Sequence, residues 1–135
     1  MRLTQFTDSG LRVLMYVGSN RDDLVTTAQL AQALNVSRHH LLKVVHRLCE
    51  LGWLRAKRGP AGGVGFASES ASVSVGDVVR ALESQLDLVE CFALDSNSCP
   101  LLPRCRLAPL LQRAQDAFIA ELDEVTLGEL VWPVR

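Results

Sequence analysis

The chain has 135 residues, 48% of them hydrophobic and 21% charged, with a net charge of -1. That length and balance suit one globular domain with room for a core, and they exclude a disordered chain and a pure coiled coil. The charge is unevenly placed: residues 1–66 hold nine Lys/Arg against four Asp/Glu and all three histidines, whereas residues 67–135 hold five against eleven.

Helical spacing begins at Leu11, Leu14, Met15 and Val17, with Thr4, Thr7 and Asp8 as early polar residues, which predicts a helix over 5–19. Thr26-Thr27-Ala28-Gln29 has the spacing of a capping box and opens a second helix with Leu30, Ala31 and Leu34 on its apolar side, ending near Asn35. Ser37 caps a third, with Leu41, Leu42, Val45, Leu48 and Cys49 expected on one side and Gly52 just past its end. Its polar side carries Arg38, His39, Lys43 and Arg47, with His40 and His46 nearby. The period then changes. Residues 53–58 and 64–67 read as two short strands around Gly59-Pro60-Ala61-Gly62-Gly63, the composition of a hairpin loop. Ser74 starts a fourth helix through Val78, Val79, Ala81 and Leu82. Residues 84–106 show no sustained periodicity and contain Cys91, Cys99, Cys105, Pro100 and Pro103. A final helix follows, with Pro109 in its first turn and a stripe of Leu111, Ala114, Phe118, Leu122 and Val125. So long a stripe beside so small a body is expected to pack against the same helix of a second subunit.

The fold class expected is mainly α: a winged helix-turn-helix with a two-stranded wing, a cysteine-containing loop and a long C-terminal dimerisation helix. The segments are 1–83 for the DNA-binding domain, 84–106 for the cysteine loop and 107–135 for the dimerisation helix and tail. The apolar run 11–17 is interrupted by Arg12 and falls far short of the roughly 20 residues of a membrane span. Thr4, Gln5, Thr7 and Asp8 stand where a signal peptide would place its apolar stretch, so a cytoplasmic protein with no membrane partner is expected.

Two short helices joined by a tight turn and followed by a basic hairpin are the parts of a DNA reader. In that geometry Ser37, Arg38, His39 and His40 enter the major groove of double-stranded operator DNA, and Lys43 and Arg47 follow the backbone. Arg58, with Arg55 and Lys57, and the wing glycines Gly62 and Gly63 lie along phosphate or the minor groove. A dimer implies partly palindromic half-sites roughly 34–36 Å apart, or a multiple of that. No phosphate cradle or acid–base pair points to an enzyme.

Three thiols within fifteen residues of a cytoplasmic chain disfavour disulfides and point to metal. Thiolates select zinc, copper(I) or iron–sulphur clusters, and the absence of short Cys-x2-4-Cys pairing favours a cluster over a zinc staple. Cys49, on the apolar side of the third helix, reads as a small hydrophobe rather than a ligand. Asp8 reads as a helix-start acid, or as an oxygen ligand held by Arg12 one turn on.

The opening Met1-Arg2-Leu3-Thr4-Gln5-Phe6-Thr7-Asp8, Val36-Ser37-Arg38-His39-His40, Arg58-Gly59 with Gly62-Gly63, Val75-Gly76-Asp77-Val78-Val79-Arg80 with Leu82-Glu83, Cys105-Arg106-Leu107, and Glu121-Leu122-Asp123 with Thr126-Leu127 carry a family likeness. Together with the three cysteines they make the chain resemble the Rrf-type family of winged-helix regulators, and within it the nitric-oxide-sensing repressors. The resemblance implies a homodimeric repressor in which Cys91, Cys99 and Cys105 bind an iron–sulphur cluster, 4Fe-4S in preference to 2Fe-2S, with Asp8 of the partner subunit as fourth ligand. Loss or nitrosylation of that cluster would release operator DNA and derepress nitrosative-stress genes. A related iron–sulphur branch places a ligating histidine three residues after its last cysteine, where this chain has Ala108. The seven residues between Cys91 and Cys99 form a longer interval than the family's usual one. The other readings are an iron- or redox-responsive 2Fe-2S regulator and a zinc-stapled winged-helix regulator.

Overall fold

A computed structural model of the chain describes residues 1–131 apart from Leu94 and Ser96; residues 132–135, the end of the expected tail, lie outside the described residues. Helix α1 (Gln5–Ser19) starts where Thr4 Oγ1 accepts from the Thr7 amide at 3.3 Å, and it buries Val13, Leu14 and Val17. Helix α2 (Thr27–Leu34) opens with the full capping box: the Gln29 amide donates to Thr26 Oγ1 at 3.2 Å and the Thr26 amide to Gln29 Oε1 at 2.8 Å. Asn35 closes it at φ 52°, a left-handed conformation that Asn tolerates better than most residues. Helix α3 (Arg38–Glu50) is capped by Ser37, whose Oγ accepts from the His40 amide at 3.2 Å.

The wing is the antiparallel pair β1 (Leu54–Lys57) and β2 (Gly63–Phe66), in register from Leu54 opposite Phe66 to Lys57 opposite Gly63. Val25 adds a bridge to Val64, its amide and carbonyl both bonded at 2.9 and 2.8 Å. The first strand is shorter than the expected 53–58, losing Trp53 and Arg58, while the second keeps four residues but starts one earlier, at Gly63 opposite Lys57. A Cβ on Gly62 would stand 2.2 Å from the Lys57 carbonyl oxygen and 2.8 Å from that of Gly59, both backbone atoms that cannot swing aside. Gly62→Ala should therefore open the hairpin and lower stability by about 1–3 kcal/mol in thermal unfolding. Gly65→Ala, whose methyl would meet only the Leu24 side chain at 3.3 Å, should cost clearly less. Equal losses would mean that the Gly62 backbone contact does not govern the wing.

Helix α4 (Val75–Leu82) is capped by Ser74 as expected, and α5 (Leu107–Asp123) carries Pro109 in its first turn. Between them two single 3-10 turns, Glu90–Phe92 and Leu102–Arg104, interrupt an otherwise irregular segment. A further 3-10 turn, Ser68–Ser72, follows the wing and has no periodicity that would announce it. Contrary to the expected stripe, α5 stops before Val125: the Val125 carbonyl accepts from the Val75 amide at 2.8 Å, which pulls the chain back toward α4. Thr126 and Glu129 then box a short α6 (Leu127–Leu130). Leu127 is fully buried in one core with Val13, Leu14, Leu30, Leu41, Leu48 and Val78, so α6 helps close the core of the winged body. The protein is a mainly helical winged helix-turn-helix.

Candidate nucleic-acid and metal-binding surfaces

Helix α3 buries Leu41, Val44, Val45 and Leu48, which turns the opposite side outward. Arg38, His39 and Lys43 are exposed there, and so are Lys57, Arg58 and Gly59 along the wing. Leu42, expected on the apolar side, is instead 48% exposed.

Other expected DNA contacts are engaged within the chain. The Ser37 hydroxyl serves as the cap of α3. His40 turns back onto α1, with Nε2 3.2 Å from Ser9 Oγ and its ring edge-on to Phe6, because these partners lie under the first turn of α3. It does not join Arg38 and His39 on the outer side. Arg47 pairs with Glu50 at 3.4 Å, and the same carboxylate faces His46 at 3.3 Å. Arg55 pairs with Glu69 across the base of the wing; the Glu69 carboxyl lies below its ordinary range, chiefly through a hydrogen bond from its own backbone amide, then through the Ser68 hydroxyl, with Arg55 adding less. Gly62 and Gly63 are partly buried: Gly63, at φ 153°, would bring a Cβ within 2.8 Å of the Val25 carbonyl oxygen, so both glycines are required by the turn itself.

None of the four cysteines is in a disulfide among the described residues, and all four are partly buried. Cys49 packs against the core, and burial pushes its thiol up, which favours the inert protonated form. Cys91 lies in the Glu90–Phe92 turn, near the point where Gln115 Oε1 of α5 accepts from the Leu88 amide at 3.2 Å. The Cys99 amide donates to Asn97 Oδ1 at 3.1 Å. Cys105 Sγ accepts from the Ala108 amide at 3.3 Å and so satisfies one of the free N–H groups that begin α5. A cleft of about 510 Å³ lined by Pro100, Leu101, Pro103 and Cys105 opens beside it. Among the described residues no three of the His, Cys, Asp and Glu side chains converge closely enough to hold one ion.

Asp8, in the first turn of α1, pairs with Arg12 at 3.0 Å, as the one-turn spacing suggests. The amino end of that helix is anchored from α4: Glu83 Oε2 accepts from the Thr4 amide at 3.0 Å and from Thr4 Oγ1 at 3.1 Å. A second long-range clamp joins Arg80 to Asp123 at 2.8 and 2.5 Å, and the guanidinium holds the Asp123 carboxyl below its ordinary range. Gly76 makes room for it, since a Cβ there would lie 1.9 Å from Asp123 Oδ1. Both partners sit in motifs noticed in the sequence, but only the charge complementarity hinted at their pairing. Along α5 no residue is buried among those described, and Leu107 and Leu110 are 57% and 51% exposed.

The family model for Rrf2, described as "Iron-dependent Transcriptional regulator", matches residues 3–133. The chain belongs to the Rrf2 family. It is 41% identical over 132 residues to the "HTH-type transcriptional regulator NsrR" of Geobacillus kaustophilus (strain HTA426), covering 97% of this chain and 90% of that protein. The protein of the same name from Bacillus subtilis (strain 168) is 38% identical over the same shares. Among solved structures, CymR, the global cysteine regulator of B. subtilis, superposes with a TM-score of 0.74 at 27% identity, covering 96% of this chain and 95% of that one. Like other Rrf2 proteins, the chain is a transcriptional regulator with a winged-helix fold, and the likeness read from its motifs holds over nearly its whole length. No helix among the described residues is long and apolar enough to cross a membrane.

Proposed function

We propose that this Rrf2 regulator is a homodimeric repressor that binds operator DNA and senses nitric oxide through an iron–sulphur cluster, 4Fe-4S in preference to 2Fe-2S. The observation that carries the reading is the set of three free, partly exposed thiols on one irregular segment that ends at the first turn of α5. Cys91, Cys99 and Cys105 fit the group by chemistry: soft thiolate donors on backbone free to wrap a centre, with an amide already directed at one sulphur. On this reading Asp8 of the partner subunit completes the ligand set.

When bound, the cluster supplies iron able to react with nitric oxide. The chain's own residues set the terms of the response. Arg12 orients the Asp8 carboxylate, a harder and weaker ligand for such iron than the thiolates, so the ligand set is uneven by construction. Leu107, Leu110 and the rest of α5 offer the apolar side on which two subunits pair. Arg38, His39 and Lys43 of α3 and Lys57 and Arg58 of the wing face operator DNA, with Ser37 and Arg47 at the margin of that surface. On this reading 1–83 is the DNA-binding unit, 84–106 the cluster segment and 107–135 the pairing segment, and the protein works in the cytoplasm without catalytic activity.

An anaerobic titration of the purified protein with nitric oxide tests this, with the visible spectrum and binding to its own promoter DNA followed in the same samples. Loss of a broad band near the blue in step with release of DNA is expected. A colourless, zinc-containing protein that holds DNA throughout would overturn the sensor reading in favour of a zinc staple. Iron and acid-labile sulphide counts would separate 4Fe-4S from 2Fe-2S.

A further inference from the structure

The turn of α1 that carries Asp8 meets the start of α3 through two directional contacts of His40. His40 reaches the buried hydroxyl of Ser9 at 3.2 Å, and its ring stands edge-on to Phe6, with centroids 6.2 Å apart and planes at 89°. Phe6 and Ser9 bracket Asp8 within a single helical turn. At its other end His40 donates its backbone N–H to Ser37 Oγ, the cap that begins the helix, and Arg38 and His39 are its immediate neighbours.

Beside these contacts α1 and α3 share an aliphatic core, with Val13, Leu14 and Val17 packed with Leu41, Val44 and Leu48. Aliphatic surfaces are non-directional and let one helix slide slightly on another. A hydroxyl–imidazole contact and an edge-to-face ring pair have preferred distances and angles, and so resist such sliding. Glu83 restrains the same turn from the α4 side through Thr4, and His40 provides a polar link on the α3 side.

We infer that His40 is a positioning residue: it couples the Asp8-bearing turn of α1 to the DNA-reading end of α3, so that a displacement of that turn re-aims Arg38 and His39. The inference rests on the proposed function for the meaning of the displacement, because that reading makes Asp8 a ligand. It does not rest on that reading for the coupling itself.

The test uses the full chain as purified, with Ser9→Ala, His40→Ala and His40→Gln variants. Amide hydrogen exchange of residues 38–41 is measured with and without Asp8→Ala as the perturbation of α1. With His40 present, Asp8→Ala should speed exchange at 38–41 by about two- to thirtyfold; in the His40→Ala and Ser9→Ala backgrounds that response should largely vanish. In the cluster-loaded protein, the ratio of operator affinities before and after nitric oxide should shrink by a similar factor in His40→Ala, with the visible spectrum unchanged. His40→Gln, which keeps a polar group able to reach Ser9, should recover part of it.

Exchange at 38–41 that responds equally in all backgrounds would overturn the inference, even if His40→Ala alone proved hard to fold, because Ser9→Ala removes only one hydroxyl. A protein that ignores nitric oxide but shows the His40-dependent exchange response would refute the sensor reading while supporting the coupling.

Discussion

Replacing Cys105 with Ala is expected to give a protein that purifies without iron or acid-labile sulphide and binds operator DNA at least about tenfold more weakly than wild type. The thiolate is one of three soft donors in the proposed set, and a harder carboxylate cannot take over its share of the binding. Cys105 has a second task that the other two lack among the described residues. Its sulphur accepts from the Ala108 amide at 3.3 Å, so the substitution also strips the first turn of α5 of a partner, at a cost on the order of 0.5–1 kcal/mol. Cys91→Ala should therefore lose the metal with a smaller loss of helix stability. Cys49→Ala is the control: its thiol is packed against the core and pushed toward the protonated form, so iron should be retained and only modest stability lost. Iron and sulphide assays, the visible spectrum and fluorescence anisotropy with promoter DNA read all three variants. Full iron in Cys105→Ala would remove this residue from the ligand set.

Leu41→Ala should destabilise the fold by about 2–5 kcal/mol, a large share of what a domain of this size has. Leu41 is fully buried on α3, three residues after Arg38, and its side chain helps lock the reading helix to the body. The expected loss is roughly 10 °C or more in thermal unfolding followed by circular dichroism, with operator affinity falling as α3 loosens. Leu42 provides the comparison. It is the same residue type one position on, but 48% exposed, so Leu42→Ala should stay within about 0.5 kcal/mol of wild type. Equal effects at both positions would mean that the rotation of α3 about its axis differs from the one described.

Much of the fold follows from interactions that span three or four residues. Thr4, Thr26 with Gln29, Ser37 and Ser74 each satisfy amides at the start of the helix they open, and the apolar spacing within each helix then selects the buried side. The wing is equally local, since a Gly-rich stretch between two short strands leaves little choice but a hairpin. Such features are legible because their energy lies within one stretch of chain. The ligand candidates were legible for a related reason, as thiols at close spacing are rare without a use. The opposite errors at Leu42 and Val125 show the limit of periodicity: it gives a helix and a rough side, but the exact rotation and the point where the helix stops come from neighbours far along the chain.

The sequence by itself determined the order of helices α1 to α5 and the wing, the caps of α1 to α4, the basic character of the α3–wing half and the grouping of three thiols in one segment. Only the tertiary structure decided where each functional side chain points. His40 finds Ser9 across a separation of 31 residues, Arg80 finds Asp123 across 43 and Glu83 finds Thr4 across 79, while Arg55 is drawn to Glu69 rather than left free on the wing. The physical reason is that a polar side chain takes whichever partner lies within about 3 Å, and that choice exists only after the apolar faces have packed and set the helices side by side.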